Sequence, residues 1–484
     1  MNVEDLRARG EQLSQDLGRE SYRAGAGLTL ETRFAEIFEA YMDLQGDEAW
    51  ESARGVRELE EWVLDARIAR AVAPLDDRLH AWESSAEIEL DRGERMPYQR
   101  SGIAIANEPR RERRLAIDRA RRLAGSEPSA IRAERLGREQ DLLGKFMGLG
   151  VVEARAQLSG IDLDALARDG CAFLDRTADL YRDVLKGRLK AELGMTSGDA
   201  DRTDGAFLFR GAAFDEFFSA ETLVATAIRQ TGEMGLDALA AGRIIHDTHD
   251  RERKRPRAFC APVRVPDEVY LVIRPHGGYA DYRAFWHELG HALHFANAAR
   301  DMPFEHRWLG DNSVTECYAM LFEHQLMAPA WLKRYTTLGG ARLAEFRRAQ
   351  AFALLAIVRR YAAKLNYETQ LHRAPSLASG ARRYAEILTE ATGFGYADED
   401  ALLDLDDGFY AARYLRAWQL EAALRTRLIE QFDEDWFRNP RSGAFVLELL
   451  VRGQRDDAVQ VAKTALQTRL SFEPLAAWCE AALA

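Results

Sequence analysis

Residues 284–295 read Ala-Phe-Trp-His-Glu-Leu-Gly-His-Ala-Leu-His-Phe, and the rest of the chain is best understood from this stretch outward. Its apolar residues surround the polar ones at helical spacing, which predicts a buried helix. Residues four positions apart on a helix point from nearly one face, so His287 and His291 can hold one metal ion together. Glu288 lies beside them and could take a proton from a water molecule that the metal activates.

Two histidines alone would leave a zinc ion weakly held, and the next segment supplies a third ligand. Asp311 and Ser313 are typical N-cap residues, and residues 314–323 continue with apolar side chains at helical spacing. Glu316 lies in the first turn of this helix or just beyond it, and its carboxylate is suited to zinc. Glu323, two turns later on the same face, could hold the second nitrogen of a histidine ring.

The alternative for this stretch is an ordinary helix that happens to contain two histidines and a glutamate. Burying those polar side chains without a metal would be costly. Gly290 in the fourth position of the motif also suits a zinc helix, which often packs closely there. We therefore predict that His287, His291 and Glu316 hold one Zn²⁺ per chain.

The composition is that of a globular chain, with 47% hydrophobic and 30% charged residues in 484. One large domain or two interleaved ones would both fit this length. The net charge of -12 argues against nucleic acid or an anionic membrane surface as the main partner.

Targeting and redox signals point to a cytoplasmic protein. Residues 1–6 lack a signal pattern, and no apolar run approaches the ~20 residues of a membrane helix. The four cysteines are scattered and form no CxxC pair, which is typical of a reducing compartment. These cysteines are Cys171, Cys260, Cys317 and Cys479.

Residues 1–200 are predicted to form a helical N-terminal region, and residues 201–484 the catalytic zinc region. Segments 30–41 and 56–64 have apolar residues at three- and four-residue steps, as amphipathic helices do.

Two charged stretches invite functional interpretations that we set aside. The arginine-rich run at 109–114 suggests nucleic acid, but a helix opened by Pro109 with its arginines on a solvated face is the better interpretation. Asp199, Asp201 and Asp204 hint at calcium. No glutamate closes a twelve-residue loop around them, so a plain linker is expected.

The one convincing strand region is 259–273, after Pro256 ends the preceding helices. Two β-branched runs flank a Pro-Asp turn at 266–267, which predicts a hairpin. The sequence from His276 to Tyr279 then turns the chain into the zinc helix. The edge of the hairpin could add an extended peptide as another strand, or the hairpin could simply cap the core, and the sequence leaves both open.

After Glu316 the chain is predicted to be helical to its end, with breaks at 393–396, 406–410 and 439–443. Tyr410 and Tyr414 fall on one helical face. A phenol there can donate a hydrogen bond to an oxyanion, although aromatic residues at this spacing also pack in cores.

The stretch from Ala258 to about Leu332 resembles the zinc metallopeptidase family of thimet oligopeptidase and oligoendopeptidase F, which is of the gluzincin type. The likeness rests on the Gly277-Gly278 turn, on residues 287–294, and on Glu316, which follows His291 by 25 residues as in that family.

A later segment, residues 410–414, is similar to the family segment whose tyrosines face the scissile carbonyl. The chain departs from the family pattern at Leu405, where the family has a histidine, and at Ala417, where it has a third tyrosine. Of the glycine-rich loop before the tyrosines, Gly408 remains.

The resemblance implies a mainly α fold with two helical halves flanking a deep substrate channel. Zinc would lie on its floor, and a small antiparallel β-sheet would lie next to the zinc helix.

The implied activity is zinc-dependent hydrolysis of short peptides with Glu288 as general base. Tyr410 or Tyr414 would stabilise the oxyanion, with Tyr279 and His276 as further candidate donors. Tyr279 is also a candidate for contact with the substrate. Arg413 or Arg416 could bind a substrate carboxylate, or each could instead lie at the surface or in an ion pair.

Two other functions remain open at this stage. The site could hydrolyse one dedicated modified peptide or another amide, because its oxyanion side departs from the family. Alternatively, the protein could bind without hydrolysing and keep zinc for structure. Glu288 argues against that second possibility, because a structural zinc needs no general base and usually has four protein ligands.

Overall fold

The structure is a computed structural model that describes residues 1–255 and 257–484. Pro256, at which the sequence predicts an end to the preceding helices, lies outside the described residues.

The chain is mainly α-helical, as the resemblance implies. The helices before residue 211 are, in chain order, α1 (Val3–Gly25), α2 (Phe34–Ala40), α3 (Asp47–Ala53), α4 (Arg57–Ser85), α5 (Tyr98–Asn107), α6 (Arg111–Ser126), α7 (Ser129–Met147), α8 (Val151–Ser159), α9 (Leu163–Arg176), α10 (Ala178–Arg188) and α11 (Arg202–Leu208). The helices predicted at 30–41 and 56–64 correspond to α2 and to the start of α4.

The later part of the chain contains α12 (Leu223–Met234), α13 (Tyr279–Asn297), α14 (Asn312–His324), α15 (Pro329–Tyr335), α16 (Gly340–Arg373), α17 (Leu377–Ala381), α18 (Tyr384–Thr392), α19 (Tyr410–Phe432), α20 (Pro440–Leu450), α21 (Ala458–Thr464) and α22 (Glu473–Leu483). The predicted breaks are confirmed, because α18 ends before the first, α19 begins at the second, and α20 begins within the third.

The strands belong to two small sheets. They are β1 (Glu87–Glu89), β2 (Arg95–Pro97), β3 (Ile244–Asp247), β4 (Phe259–Arg264) and β5 (Glu268–Val272). Strands β1 and β2 form an antiparallel pair, and the second sheet has the order β3-β5-β4.

The predicted hairpin is confirmed as the antiparallel pair of β4 and β5, but its sheet is mixed rather than antiparallel. Strand β3 pairs with β5 in parallel. The sequence pattern does not predict β3, because this strand has four residues, too few for an alternation of apolar and polar side chains to stand out.

Both faces of the hairpin are covered. Val269 and Leu271 are fully buried in the same hydrophobic core as α13. Tyr270, which points to the opposite face by the alternation of a strand, stacks on Tyr22 of α1 with ring centroids 3.7 Å apart. Strand β4 lies at one edge of the sheet and packs beside α13.

By its internal contacts the chain divides into two compact units. The first comprises Met1–Leu64, Gly211–Gln350 and Arg416–Trp478, and the second comprises Asp65–Arg210, Ala351–Leu415 and Cys479–Ala484. The sheet of β3, β4 and β5 lies in the first unit together with α13 and α14. The functional division into residues 1–200 and 201–484 remains a prediction, as does the substrate channel.

The two charged stretches of the N-terminal region meet in the second unit. Arg114 is 1% exposed and forms an ion pair of 2.6 Å with Asp204, which Arg111 also contacts at 3.0 Å. The interpretation of a wholly solvated arginine face is therefore wrong for Arg114. The supposed linker has a structural role, because Asp201 caps α11 in a capping box with Asp204.

All four cysteines are present as thiols rather than in disulfide bonds. Across the part of the chain that the structure describes, no helix is long and apolar enough to cross a membrane.

Candidate metal centre

Helix α13 begins at a glycine turn that the following side chains stabilise. Gly277 and Gly278 have φ angles of 83° and 90°, a left-handed conformation that favours glycine. The carboxylate of Asp281 accepts a hydrogen bond from the Gly277 N–H at 2.9 Å, and Asp215 accepts one from the Tyr279 N–H at 3.0 Å. A Cβ at Gly278 would lie 2.8 Å from the Asp215 carboxylate, so the turn requires this residue type.

The predicted burial of α13, the helix that carries the candidate histidine ligands, is confirmed. Phe285, Trp286 and Leu289 are fully buried in the core of the first unit. The side chains of His287 and His291 leave the helix on another face, where they retain 18% and 13% exposure.

Helix α14 packs directly against α13 at Gly290. A Cβ at this position would lie 2.4 Å from the Tyr318 carbonyl oxygen and 2.6 Å from the Ala319 Cα. As predicted, Asp311 caps α14, accepting a hydrogen bond from the Ser313 N–H at 2.9 Å. This close packing brings the first turns of α14 beside the histidines of α13.

The three candidate ligands converge. His287 Nε2 lies 3.4 Å from Glu316 Oε2, and His291 Nε2 lies 3.6 Å from the same oxygen. A tetrahedral zinc ion with bonds of about 2.0–2.1 Å would hold two ligand atoms about 3.3–3.4 Å apart. Among the described residues, these three are the group whose ligand atoms could surround one ion, all within 4.8 Å of one another.

The second nitrogen of each imidazole has its own partner. His287 Nδ1 lies 2.8 Å from Glu323 Oε2, as expected from the sequence, and His291 Nδ1 lies 2.9 Å from Thr315 Oγ1. A proton held on each Nδ1 by these contacts leaves the Nε2 lone pair available to a metal.

The electrostatics of the site favour a cation. Burial would lower the pKa of His287, but hydrogen bonds to Glu316 and Glu323 raise it to about 10. Burial lowers the pKa of His291 to about 4, which keeps that imidazole neutral. In the metal-free site His287 therefore carries a proton that Glu316 and Glu323 stabilise, while His291 is neutral. A zinc ion that displaced this proton from His287 would be held by two neutral imidazoles and a carboxylate, a ligand set that keeps one position open.

Glu288 is held by the edge strand of the sheet. Its Oε2 accepts a hydrogen bond of 2.9 Å from the backbone N–H of Cys260 in β4. Burial raises the pKa of Glu288, while His287, the Cys260 N–H and Arg257 oppose that rise. A carboxylate whose pKa is raised is a better proton acceptor, which suits a general base.

The other predicted site residues are distributed over both units. Tyr279, in the first unit, packs among aromatic rings, 5.3 Å from Phe218 and 4.9 Å from Phe346 between ring centroids. Burial raises the pKa of its phenol. The N–H of His276 donates a hydrogen bond to Asp281, and its side chain is exposed.

Tyr410, Tyr414 and Arg413 lie in the second unit, at the start of α19. The rings of Tyr410 and Tyr414 are 5.1 Å apart, and Arg413 is 7% exposed. Their roles toward a substrate remain predictions. Arg416 is buried and forms an ion pair of 3.3 Å with Asp311, the N-cap of α14. This is the ion-pair alternative that the sequence left open for Arg416.

Three contacts of the site were missed from the sequence. Thr315 directly precedes Glu316 on the buried helix α14. A polar side chain in a predicted buried helix, next to a candidate ligand, is a signal that could have identified it. Arg283 lies four residues before His287 and contacts Glu323 at 3.3 Å, so helical spacing could have identified it. The Cys260 N–H is a backbone group, and no sequence pattern signals it.

No protein-family model and no curated protein matches the sequence. Among solved structures, the chain resembles one described as PZ peptidase A with inhibitor 2, with a TM-score of 0.64 and 14% identity. The match covers 96% of this chain and 86% of that chain. At such low identity the likeness shows the fold alone, and the fold of this chain is one that a peptidase adopts.

Proposed function

We propose that the protein is a zinc-dependent peptidase that hydrolyses short peptides, of the type of thimet oligopeptidase and oligoendopeptidase F. The observation that carries the proposal is the convergence of the His287, His291 and Glu316 ligand atoms beside Glu288. The fold shared with a protein named as a peptidase supports the same assignment.

In this proposal each residue around the metal has a distinct task. His287, His291 and Glu316 hold the ion, while Glu323 and Thr315 fix the orientation of the two imidazoles. A zinc ion held by these residues would supply polarisation of the scissile carbonyl and a lowered pKa for a bound water, towards about 7.

Glu288 moves the proton. Because the Cys260 N–H engages one oxygen of this carboxylate, the group is held in one orientation while it accepts a proton from the attacking water. The same carboxyl group then donates that proton to the leaving amine, so the residue returns to its starting state.

The substrate contacts are the part of the proposal that rests on resemblance. Tyr410 or Tyr414 would donate a hydrogen bond to the oxyanion, Arg413 would bind a substrate carboxylate, and Tyr279 would contact the substrate. The protein would act in the cytoplasm on peptides rather than on nucleic acid or membranes.

The proposal is tested by digestion of a mixed peptide library with and without a chelator. Zinc content would be measured first, and we expect one ion per chain. The chelated protein should lose cleavage and regain it when Zn²⁺ is added back.

Two results would contradict the proposal. Cleavage that persists after complete removal of the metal would exclude the zinc mechanism. One bound zinc with no cleavage of any library peptide would favour a dedicated substrate over general peptidase action.

A further inference from the structure

The segment before β4 is strongly basic, although the chain as a whole carries a net charge of -12. Residues 251–257 read Arg-Glu-Arg-Lys-Arg-Pro-Arg. Such a local excess of positive charge in an acidic protein attracts acidic groups that the rest of the surface repels.

Two basic side chains of this segment, those of Lys254 and Arg251, bind groups within the protein. The Lys254 amine is 0% exposed and donates hydrogen bonds to the Asp247 carboxylate, the Asp247 carbonyl and the His249 carbonyl at 2.7–3.0 Å. Arg251 donates to Asp247 at 2.8 Å and to the Ala26 carbonyl at 2.9 Å. These bonds fix the backbone of the segment to the end of β3.

The remaining three arginines, Arg253, Arg255 and Arg257, are exposed. Within the residues that the structure describes, none of the three forms an ion pair with a carboxylate. With Glu252, which is also exposed, the outward side chains carry a net charge of +2, three positive charges less one negative.

The segment is anchored rather than loosely attached. The N–H of Arg255 donates to the Gly25 carbonyl at 2.9 Å, and its guanidinium lies 5.7 Å from the centroid of the Phe259 ring in β4. At Gly27, with φ of 70°, a Cβ would lie 2.8 Å from the backbone nitrogen of Lys254, so the chain just after α1 packs against the backbone of the segment. Fixed positive side chains lose less entropy on binding a ligand than free ones do.

Of the three arginines, Arg257 lies nearest to the candidate catalytic residue along the chain. Arg257 precedes Cys260 by three residues, so the Cα atoms of these two residues are at most about 11 Å apart. The Cys260 N–H binds Glu288, and the charge of Arg257 opposes the rise in the pKa of Glu288. Arg255 and Arg253 precede Cys260 by five and seven residues, which places them at most about 18 and 25 Å from it. A peptide whose scissile bond lies at Glu288 would thus have residues within reach of this basic segment.

We propose that Arg253, Arg255 and Arg257 select peptide substrates with acidic side chains near the scissile bond, an inference that rests on the proposed peptidase function. Exposed ion pairs are individually weak, and three together would favour an acidic peptide by about 3- to 150-fold in kcat/KM.

The test compares two peptides of the same length, one with Asp and Glu flanking the cleavage site and one with Asn and Gln. Cleavage by the zinc-loaded wild type gives a selectivity ratio of kcat/KM values. The wild type should prefer the acidic peptide, and the ratio should fall towards one in the variant R253Q/R255Q/R257Q and at high salt.

The matched control variant R441Q/K463Q/R469Q removes three exposed positive charges elsewhere in the same unit and should keep the wild-type ratio. Equal cleavage of both peptides by the wild type, or equal loss of selectivity in both triple variants, would overturn the inference while leaving the peptidase proposal intact.

Binding of fluorescent forms of the two peptides to zinc-loaded Glu288→Gln protein gives a second readout that needs no cleavage. Tighter binding of the acidic peptide, reduced in the first triple variant, supports the inference even if the peptidase proposal fails. Tighter binding of a single-stranded oligonucleotide than of the acidic peptide would overturn it in favour of nucleic acid.

Discussion

At the scale of single residues, the site depends on groups that hold the ligands as much as on the ligands. His287 lies between two carboxylates. Glu316 faces the ring nitrogen that would bind the metal, and Glu323 contacts the other nitrogen and fixes the orientation of the ring. Glu323 is itself held by Arg283 at 3.3 Å. A histidine oriented in this way presents one nitrogen to the metal without having to lose rotational freedom when the metal binds.

We expect Glu323→Gln to weaken zinc binding by about 10- to 100-fold, because the amide holds the His287 ring and its Nδ1 proton less strongly than the carboxylate does. Competition with a fluorescent chelator measures this change. The variant Glu345→Gln, which alters an exposed glutamate with 58% of its side chain accessible, serves as control. Equal zinc affinity in all three proteins would show that Glu323 has no such role.

At the scale of elements, the packing of α13 on α14 sets the distance between the histidines and Glu316. Gly290 permits that packing, because any side chain there would meet the backbone of α14. The site is thus a consequence of one close helix contact as well as of its ligands.

We expect Gly290→Ala to lower the free energy of unfolding by about 1–3 kcal/mol, the usual effect of overpacking, and to weaken zinc binding. Urea denaturation and zinc competition measure the two effects. Gly232 in α12 has no atom within 4 Å of an added Cβ, so Gly232→Ala should be neutral or stabilise by up to ~1 kcal/mol. If both variants behave alike, the helix contact does not determine the site.

The end of β3 gives a prediction on pH. Burial raises the pKa of Asp247, but hydrogen bonds from Arg251 and Lys254 outweigh it and lower that pKa to about 2. The ionised carboxylate therefore stabilises the fold above its unfolded pKa of 3.8, and this contribution is lost as the pH falls through about 2.

Asp247→Asn should destabilise the protein by about 3–5 kcal/mol at neutral pH, because it leaves the buried Lys254 charge without its partner. The difference from wild type should shrink as the pH is lowered from about 4 towards about 2. Urea denaturation across this range measures it, with Asp250→Asn, whose side chain is 72% exposed, as control. A difference that stays constant with pH would contradict the assignment.

The elements that the sequence predicted well are those with local signals. The helix at 284–295, the hairpin and the breaks in the late helices each follow from spacing, glycine or proline within a few residues. The contacts that it missed join distant residues. Arg114 finds Asp204 90 positions later, and nothing near Arg114 signals that partner.

The convergence of the candidate metal ligands was predictable only where it depends on residues that are close in the sequence. His287 and His291 share one helix, so their proximity follows from geometry alone. The approach of Glu316 was inferred from the type and position of that residue and requires the packing at Gly290. The hydrogen bond from the Cys260 backbone depends on how the sheet lies beside α13, which no residue type encodes.

At the scale of the whole molecule, the candidate metal centre lies within one of the two compact units. His287, His291, Glu316 and Glu288 all belong to the unit that contains Gly211–Gln350. Zinc that binds the folded state and not the unfolded one stabilises that unit by mass action.

Removal of zinc should therefore lower amide hydrogen-exchange protection in α13 and α14, while helices of the second unit such as α7 and α9 keep theirs. Exchange measured by mass spectrometry on zinc-loaded and chelated protein tests this. A uniform loss of protection over both units would mean that the metal stabilises the chain as a whole.

The central claim is that Glu288 activates water for peptide hydrolysis at a zinc ion held by its neighbours. It is tested most directly by digesting a mixed library of short peptides with zinc-loaded wild type and with Glu288→Gln, read by mass spectrometry. We expect both proteins to contain one zinc ion and the variant to be slower by about 10²- to 10⁴-fold, the usual contribution of a general base. Cleavage by the variant at the wild-type rate would contradict the account.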